Sequence, residues 1–347
     1  MQKKVKARAQ QIRKRFKKWF HMMFLVFLLF ALSGCATTAD GSLTATQTPS
    51  ATKETGQNAK PALPEKLKLN EEGVPVLSVY QVDEEAVAQM DLEEYLQGVL
   101  AGEMKNDWPV EALKAQAILA RTFVLKFCTE KESKYGGADI STDIEEAQAY
   151  DATGINENIV LAVEQTRGEV LSHNGELPYA WFHAHSGGMT ALAKEGLDYE
   201  KDEPGYTKVT QGMDSDKAPE DAKAWTAQFS IQELAAAVQE TGISLNGEPE
   251  SISIAERGES GRAVRLKVND ALVSAPQLRI ALGSSKMRST LLTSLTIENG
   301  NVKMAGKGYG HGVGMPQWGA YFMADEGKSA EEIVTYYFRD VTVEKLW

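Results

Sequence analysis

Residues 91–127, DLEEYLQGVLAGEMKNDWPVEALKAQAILARTFVLKF, constrain the fold more than any other stretch, because they read as two helices with a short break between them. Asp91 can cap the first helix, with Glu94 three residues on in the spacing of a capping box. Leu92, Tyr95, Leu96, Val99 and Leu100 recur at helical spacing and predict a core-facing stripe. Asn106-Asp107-Trp108-Pro109 is a stop and restart, since proline fits a first helical turn. Ala112, Ala115, Ala117 and Ala120 predict close packing of the second helix. Cys128, on the same helix, is expected in the core. Glu103 falls at the end of the first helix, between Gly102 and Met104. The helix dipole disfavours negative charge there, and apolar neighbours raise a carboxyl pKa by desolvation. Those are the conditions for an acid that keeps its proton until it can donate it. The alternative is a solvated glutamate at a helix end.

The N-terminus reads as an address. Residues 1–34 carry nine Lys and Arg and no acidic residue. The apolar run Met22 to Leu32 is short for a spanning helix of ~20 residues and has the length of a signal-peptide core. Leu32-Ser33-Gly34-Cys35 follows, which resembles a bacterial lipobox, so residues 1–35 are expected to be a lipoprotein-type signal peptide with Cys35 acylated. An uncleaved signal anchor is the competing reading. Either places the remainder outside the cytoplasmic membrane, and the acyl chains would anchor it. Residues 36–72 are rich in Thr, Ala, Ser, Gly and Pro and read as a flexible tether. A coil of ~35 residues spans about 30–35 Å on average, which implies reach from a membrane into a nearby layer. Beyond residue 34 the chain holds 28 basic against 48 acidic residues, a net charge of −20. So acidic a body is a poor partner for nucleic acid. Two cysteines exclude a disulfide framework.

Residues 73–347 read as one folded module, with about 205–300 as a candidate second lobe. Val74 to Val82 alternates as a strand. Lys131 to Tyr150 is polar and reads as a surface loop. Asn156 to Thr166 predicts a short helix. Glu169 to Leu171 and Leu177 to His183 predict a hairpin through Asn174-Gly175. His183 and His185 share a strand face, but two imidazoles do not make a zinc site. Ser186-Gly187-Gly188 is a turn that lacks the pattern around a hydrolase nucleophile. Leu197 to Asp216 is a polar loop long enough to suggest function. Ser230 caps a helix to Glu240. Hairpins are expected around Gly258–Gly261 and Asn299-Gly300.

Residues 308–320, GYGHGVGMPQWGA, alternate glycine with larger residues. Glycine this dense costs backbone entropy, so it belongs where backbone approaches a ligand or takes angles closed to other residues. There is no phosphate-loop ending. His311, Gln317 and Trp318 together suit a sugar ring and its hydroxyl and acetamido groups. A turn with Trp318 in the core is the alternative. Ser329 and Glu332 form a capping box before a helix bearing Ile333, Tyr336, Tyr337 and Phe338.

YLQGVLAGEM…WPVEALKAQAILARTF, WFHAHSGGMT, Leu278-Arg279 before Leu282-Gly283, and GYGHGVGMPQWGAYFMADEGKSAEEIVTYYF together resemble the SpoIID/LytB family, the stage II sporulation protein D type of wall enzyme. The resemblance covers most of residues 74–341. It implies an α+β fold of mixed helices and antiparallel β-hairpins, one catalytic module of one or two lobes with a central cleft. It implies peptidoglycan lytic transglycosylase activity, a lyase reaction without a cofactor, on glycan strands freed of stem peptides. The catalytic glutamate falls on Glu103, with Arg121, His183, Ser186, Tyr206, Lys208, His311, Gln317 and Trp318 as substrate-binding candidates. Arg121 and His311 are candidates to orient Glu103. Some members bind zinc through His and Cys in the loop after the second helix. Lys131 to Tyr150 has neither, so no metal is expected there. His185 stands where a small hydroxyl residue is more usual. Relatives described as amidase enhancers make a wall amidase a candidate partner, and a non-catalytic glycan binder the alternative to the enzyme.

Overall fold

The computed structural model describes residues 60–347, which belong to one compact unit. The signal-type segment, Cys35 and most of the expected tether lie outside the described residues. In chain order the elements are β1 (Lys68–Leu69), β2 (Pro75–Gln81), β3 (Ala86–Asp91), α1 (Leu92–Glu103), α2 (Val110–Glu130), β4 (Ile140–Ser141), α3 (Glu157–Gln165), β5 (Glu169–Ser172), β6 (Phe182–His183), α4 (Ala193–Leu197), α5 (Glu220–Lys223) and β7 (Ala224–Ser230). Then come α6 (Ile231–Glu240), β8 (Ile252–Arg257), β9 (Ala263–Val268), β10 (Ala271–Ser274), α7 (Ala275–Ala281), β11 (Leu292–Glu298), β12 (Asn301–Lys307), β13 (Met315–Pro316), α8 (Gln317–Asp325), α9 (Ala330–Tyr337) and β14 (Thr342–Lys345). The fold is α+β, built from helices and several mostly antiparallel sheets.

Helix starts follow local chemistry. Asp91 Oδ1 accepts the Glu94 N–H at 2.8 Å and opens α1. Ser230 and Ser329 form full capping boxes with Glu233 and Glu332, each cap contributing about 1 kcal/mol. The first hydrophobic core gathers the apolar faces of α1 and α2, with Leu77, Val79, Ile159, Leu171, Ile333 and Tyr337. Cys128 is buried in it, as the helical pattern predicts. A second core, from Trp225 to Met304, joins the sheets β10-β9-β8 and β11-β12-β7 with α6 and α7.

Four details differ from the sequence reading. Pro61, Pro64 and Leu67 are buried, and β1 pairs with β2, so packed chain begins before residue 73. Strand β3 precedes α1 without a break and forms a hairpin with β2; its sequence AVAQMD carries no strong strand signal. The Asn174-Gly175 turn exists, with both residues in the left-handed region, but it closes only the His173–Glu176 bridge and no longer ladder follows. Strand β5 pairs instead with β14, and β6 pairs in parallel with β13. Finally, Tyr206 and Ala218, inside the stretch expected as a second lobe, pack in the first core, and the second core takes its residues from Trp225 onward.

Candidate active site

Glu103 is the last residue of α1. Leu92, Tyr95, Leu96, Val99 and Leu100 are buried and fix the helix against α2. Gly98 and Gly102, four residues apart, lie one turn from each other on one face. A Cβ on Gly98 would meet the Tyr150 ring at 2.2 Å, and one on Gly102 would meet the Tyr150 main-chain nitrogen at 2.6 Å. The end of the 131–150 loop therefore lies flat on this strip. That contact delivers the Ala149 N–H to Glu103 Oε1 at 2.7 Å.

The loop is pinned at several points upstream. Its β4 segment runs parallel to β2, and the Tyr95 hydroxyl donates to the Ser141 carbonyl at 2.9 Å. Tyr135 stacks on Tyr80 with centroids 4.0 Å apart, and its hydroxyl donates to Asp143. Glu146 accepts from Ser133 and from the Lys134 N–H. Among the described residues no group of three or more His, Cys, Asp or Glu side chains is placed to hold a metal ion.

On its other side Glu103 meets the C-terminal segment. Gln317, first residue of α8, donates its amide to the Glu103 carbonyl at 3.1 Å. Burial pushes the Glu103 carboxyl above the usual carboxylate range, while the Ala149 N–H and Gln317 pull it back. Desolvation is the larger effect, so a proton is held more tightly than on a free glutamate.

The glycine segment reaches Glu103 by packing on residues 181–186, which include β6. Met315 N–H donates to the Trp181 carbonyl at 3.1 Å, and Trp318 N–H to the Ala184 carbonyl at 3.1 Å. His185 and Tyr309 exchange main-chain bonds of 3.0 and 2.8 Å. Gly308, Gly310, Gly312 and Gly314 all have positive φ. At Gly314 a Cβ would stand 2.0 Å from the Trp181 carbonyl oxygen, and at Gly310 it would stand 2.6 Å from the His183 Cβ. The alternation thus serves backbone angles and close approach to the protein's own strand.

The remaining sequence candidates divide. His183 and His311 have ring centroids 5.6 Å apart. His183 Nδ1 faces the Val313 carbonyl at 3.2 Å and carries the proton, leaving a buried, unpartnered Nε2. His311 Nδ1 accepts the Val313 N–H at 3.0 Å. Burial holds His183 well below the usual histidine range, with His311 and Arg262 adding to it. Burial, Arg279 and Arg262 push His311 down to about 3. Both are neutral imidazoles that lock the segment. Trp318 is 9% exposed and packs on Trp108 and Tyr321 with centroids 4.5 and 5.4 Å away, which makes it core more than platform.

Arg121 is fully buried and does not reach Glu103. It pairs with Glu93 through Nη2–Oε2 at 2.6 Å and Nε–Oε1 at 3.1 Å. Glu93 and Glu103 are ten residues apart on α1, about 15 Å along its axis. Ser186 donates its hydroxyl to Asp214, and its N–H lies 2.9 Å from Asp214 Oδ1. The Tyr206 hydroxyl accepts the Tyr179 N–H at 2.9 Å inside the core. Lys208, held below the usual lysine range by burial and Arg339, lies 5.7 Å over the Tyr336 ring. No motif in the sequence marks Ala149 or Asp214. A main-chain donor leaves no mark in the sequence; Asp214 lies in the long 197–216 loop, whose length was the one available signal.

A family model described as "Stage II sporulation protein" (SpoIID) matches residues 80–173. A second, described as a domain of unknown function, matches residues 181–314. An uncharacterized protein of Brachyspira hyodysenteriae is 31% identical over 261 residues, 74% of this chain and 67% of that protein. Stage II sporulation protein D of Bacillus amyloliquefaciens is 30% identical over 286 residues, 76% and 77% of the two chains. A Bacillus subtilis protein named amidase enhancer is 28% identical over 291 residues, 72% of this chain but 40% of that protein.

Proposed function

Because the chain belongs to the stage II sporulation protein D (SpoIID) family and so to sporulation- and wall-related proteins, we propose that it is a peptidoglycan lytic transglycosylase with Glu103 as its single catalytic acid and base. The observation that carries this reading is the half-buried Glu103, whose carboxyl desolvation raises above the usual carboxylate range while the Ala149 N–H bonds the carboxyl and the Gln317 amide bonds the main-chain carbonyl. Protonated Glu103 donates to the glycosidic oxygen between N-acetylmuramic acid and N-acetylglucosamine. The resulting carboxylate takes the proton of the muramic 6-hydroxyl, which attacks the anomeric carbon and closes a 1,6-anhydro ring. Most glycosidases need a second carboxylate to activate water or to form a covalent intermediate. An internal hydroxyl nucleophile removes that need, so one carboxyl serves both steps.

The test is mass spectrometry of glycan strands, freed of stem peptides, after incubation with purified protein. Anhydro ends are expected from the parent and none from Glu103→Gln. Full release of anhydro products by that variant refutes the assignment.

A second reading is favoured by the match of 72% of this chain to the amidase enhancer: a glycan binder that recruits or stimulates a wall amidase. It predicts strands left intact by the protein alone and faster amidase action in its presence. Under either reading the basic residues 1–34, the apolar run and Cys35 support an extracytoplasmic, lipid-anchored protein. Globomycin-sensitive processing and loss of membrane association in Cys35→Ser test that.

A further inference from the structure

The two oxygens of the Glu103 carboxyl are not equivalent. Oε1 accepts the Ala149 N–H at 2.7 Å. Oε2 makes no hydrogen bond among the described residues and is not one of the buried unpartnered atoms, so solvent reaches it. The Gln317 amide is committed to the Glu103 main-chain carbonyl at 3.1 Å and pulls on the carboxyl from nearby without bonding Oε2. A neutral carboxyl accepts through its carbonyl oxygen and donates through the other. The Ala149 N–H therefore fixes Oε1 as the carbonyl oxygen of the acid form and leaves the proton on Oε2.

Ala149 is held in place because the chain around it is tied to α1. Two residues on, the Asp151 N–H donates to the Gly98 carbonyl at 2.9 Å. Tyr150 lies between these two bonds. Its ring stacks on Tyr95, with centroids 5.6 Å apart, and fills the space that a Cβ on Gly98 would need. Further on, Asp151 Oδ1 accepts the Thr153 N–H at 2.9 Å, and the Asn106 amide donates to the Gly154 carbonyl at 2.7 Å. The Asn156 amide returns a bond of 3.0 Å to the Asn106 carbonyl. Residues 149–156 thus form a strap across the end of α1 and the link that follows it. No charged side chain sets the carboxyl. Lys105, Asp107 and Asp151 are exposed, and desolvation, the Ala149 N–H and Gln317 are what act on it. Tyr95 and Tyr150, the titratable neighbours, are raised above the usual phenol range by burial and stay neutral.

We propose that Tyr150 is a positioning residue: by seating the strap it commits Oε1 to the Ala149 N–H and makes Oε2 the one oxygen that gives up and recovers the proton. The proposal rests on the transglycosylase reading and adds the reacting atom and the element that selects it. Oε2 passes its proton to the glycosidic oxygen as the bond from that oxygen to the anomeric carbon breaks, the electron pair leaving on the oxygen. The muramic 6-oxygen then bonds the anomeric carbon, and its proton goes to Oε2, so Glu103 ends as it began. Between the two transfers the carboxylate is held by the Ala149 N–H, a bond that favours the charged form.

The experiment removes that N–H alone. Lactic acid in place of Ala149 turns one main-chain amide into an ester and leaves every side chain of the protein unchanged. Without the donor Glu103 is a weaker acid. Its kcat on glycan strands should fall about tenfold, the scale of one hydrogen bond to a charged group, with KM unchanged. The pH at which cleavage is lost should at the same time move upward, because a weaker acid keeps its proton longer. A strap that only held the fold together would lower activity without that upward move. Tyr150→Ala should lose kcat and keep KM, and Tyr150→Phe, which retains the ring, should restore kcat. An unchanged pH profile in the ester variant, or the parent kcat in Tyr150→Ala, overturns the proposal.

Carbon-13 NMR titration of the glutamate carboxyls, with Glu103 assigned by its absence in Glu103→Gln, needs no substrate and separates this from the catalytic reading. If the parent makes no anhydro ends but the ester raises the Glu103 pKa, the enzyme assignment fails and the hold of the strap on Oε1 stands. If the parent cleaves and the ester variant titrates and cleaves as the parent does, the positioning role fails and the enzyme stands.

Discussion

Replacing Arg121 by methionine should destabilise the fold by about 3–5 kcal/mol, the scale for stripping one partner from a buried ion pair. The guanidinium is fully buried and the Glu93 side chain is 7% exposed. Arg121 also donates Nη1 to the Glu169 carbonyl at 2.9 Å, so its loss leaves that acceptor short as well. Glu93 would keep two neutral donors, the Gly168 N–H at 3.0 Å and the Trp347 indole at 3.1 Å, which places the expected cost toward the lower end of the range. With an m-value of about 2–3 kcal/mol/M in urea, the midpoint should fall by about 1–2 M. Adding Glu93→Leu should recover most of the loss, since an apolar pair of similar size often replaces a buried ion pair without penalty. A double-mutant cycle reads the coupling directly. Glycan cleavage per folded molecule, measured well below the unfolding midpoint, should change little, because Glu103 sits about 15 Å along α1 from this pair. An unchanged urea midpoint together with abolished cleavage would refute the reasoning and return Arg121 to the catalytic machinery.

Four further outcomes follow from the geometry. Cleavage should fall as pH rises through the raised Glu103 pKa, since only the acid form donates. A folded pKa raised by burial contributes stability fully present below the unfolded value, about 4.3, and lost as pH rises through the folded one. Glu103→Gln removes that loss, so calorimetry should show the variant gaining on the parent at pH 8 relative to pH 4; a pH-independent difference contradicts this. Gly314→Ala and Gly73→Ala both place alanine at positive φ, for about 1–2 kcal/mol, but only Gly314 has an atom within 4 Å, at 2.0 Å. Gly314→Ala should therefore cost more in urea denaturation, and equal costs would show that the strand contact is not tight. The Cys128 thiol is pushed up to about 12 by burial; in a Cys35→Ala background its alkylation at pH 8 should be far slower in the native protein than in urea, and equal rates would mean the core admits reagent.

What could be read from the chain was what short-range chemistry decides. The caps at Asp91, Asn156, Ser230 and Ser329 each rest on a side chain bonding a main-chain N–H three residues on. The Asn299-Gly300 hairpin rests on two residues that tolerate positive φ. Pairing over long separation was not legible: β6 finds β13 more than 130 residues later, and Arg121 and Glu93 face each other by helix packing that no motif announces. The glycine alternation announced close approach, but not that the surface approached is the chain's own segment at 181–187. The candidate site shows the same division. Glu103 and Gln317 are marked by residue type, while the group that fixes the carboxyl is the Ala149 main chain, seated by two glycines on α1. A site held this way depends on where backbone is allowed to lie. Substitutions at Gly98 or Gly102, which touch no substrate, should therefore displace Ala149 and uncouple the Glu103 pKa from its setting without altering any side chain of the motif.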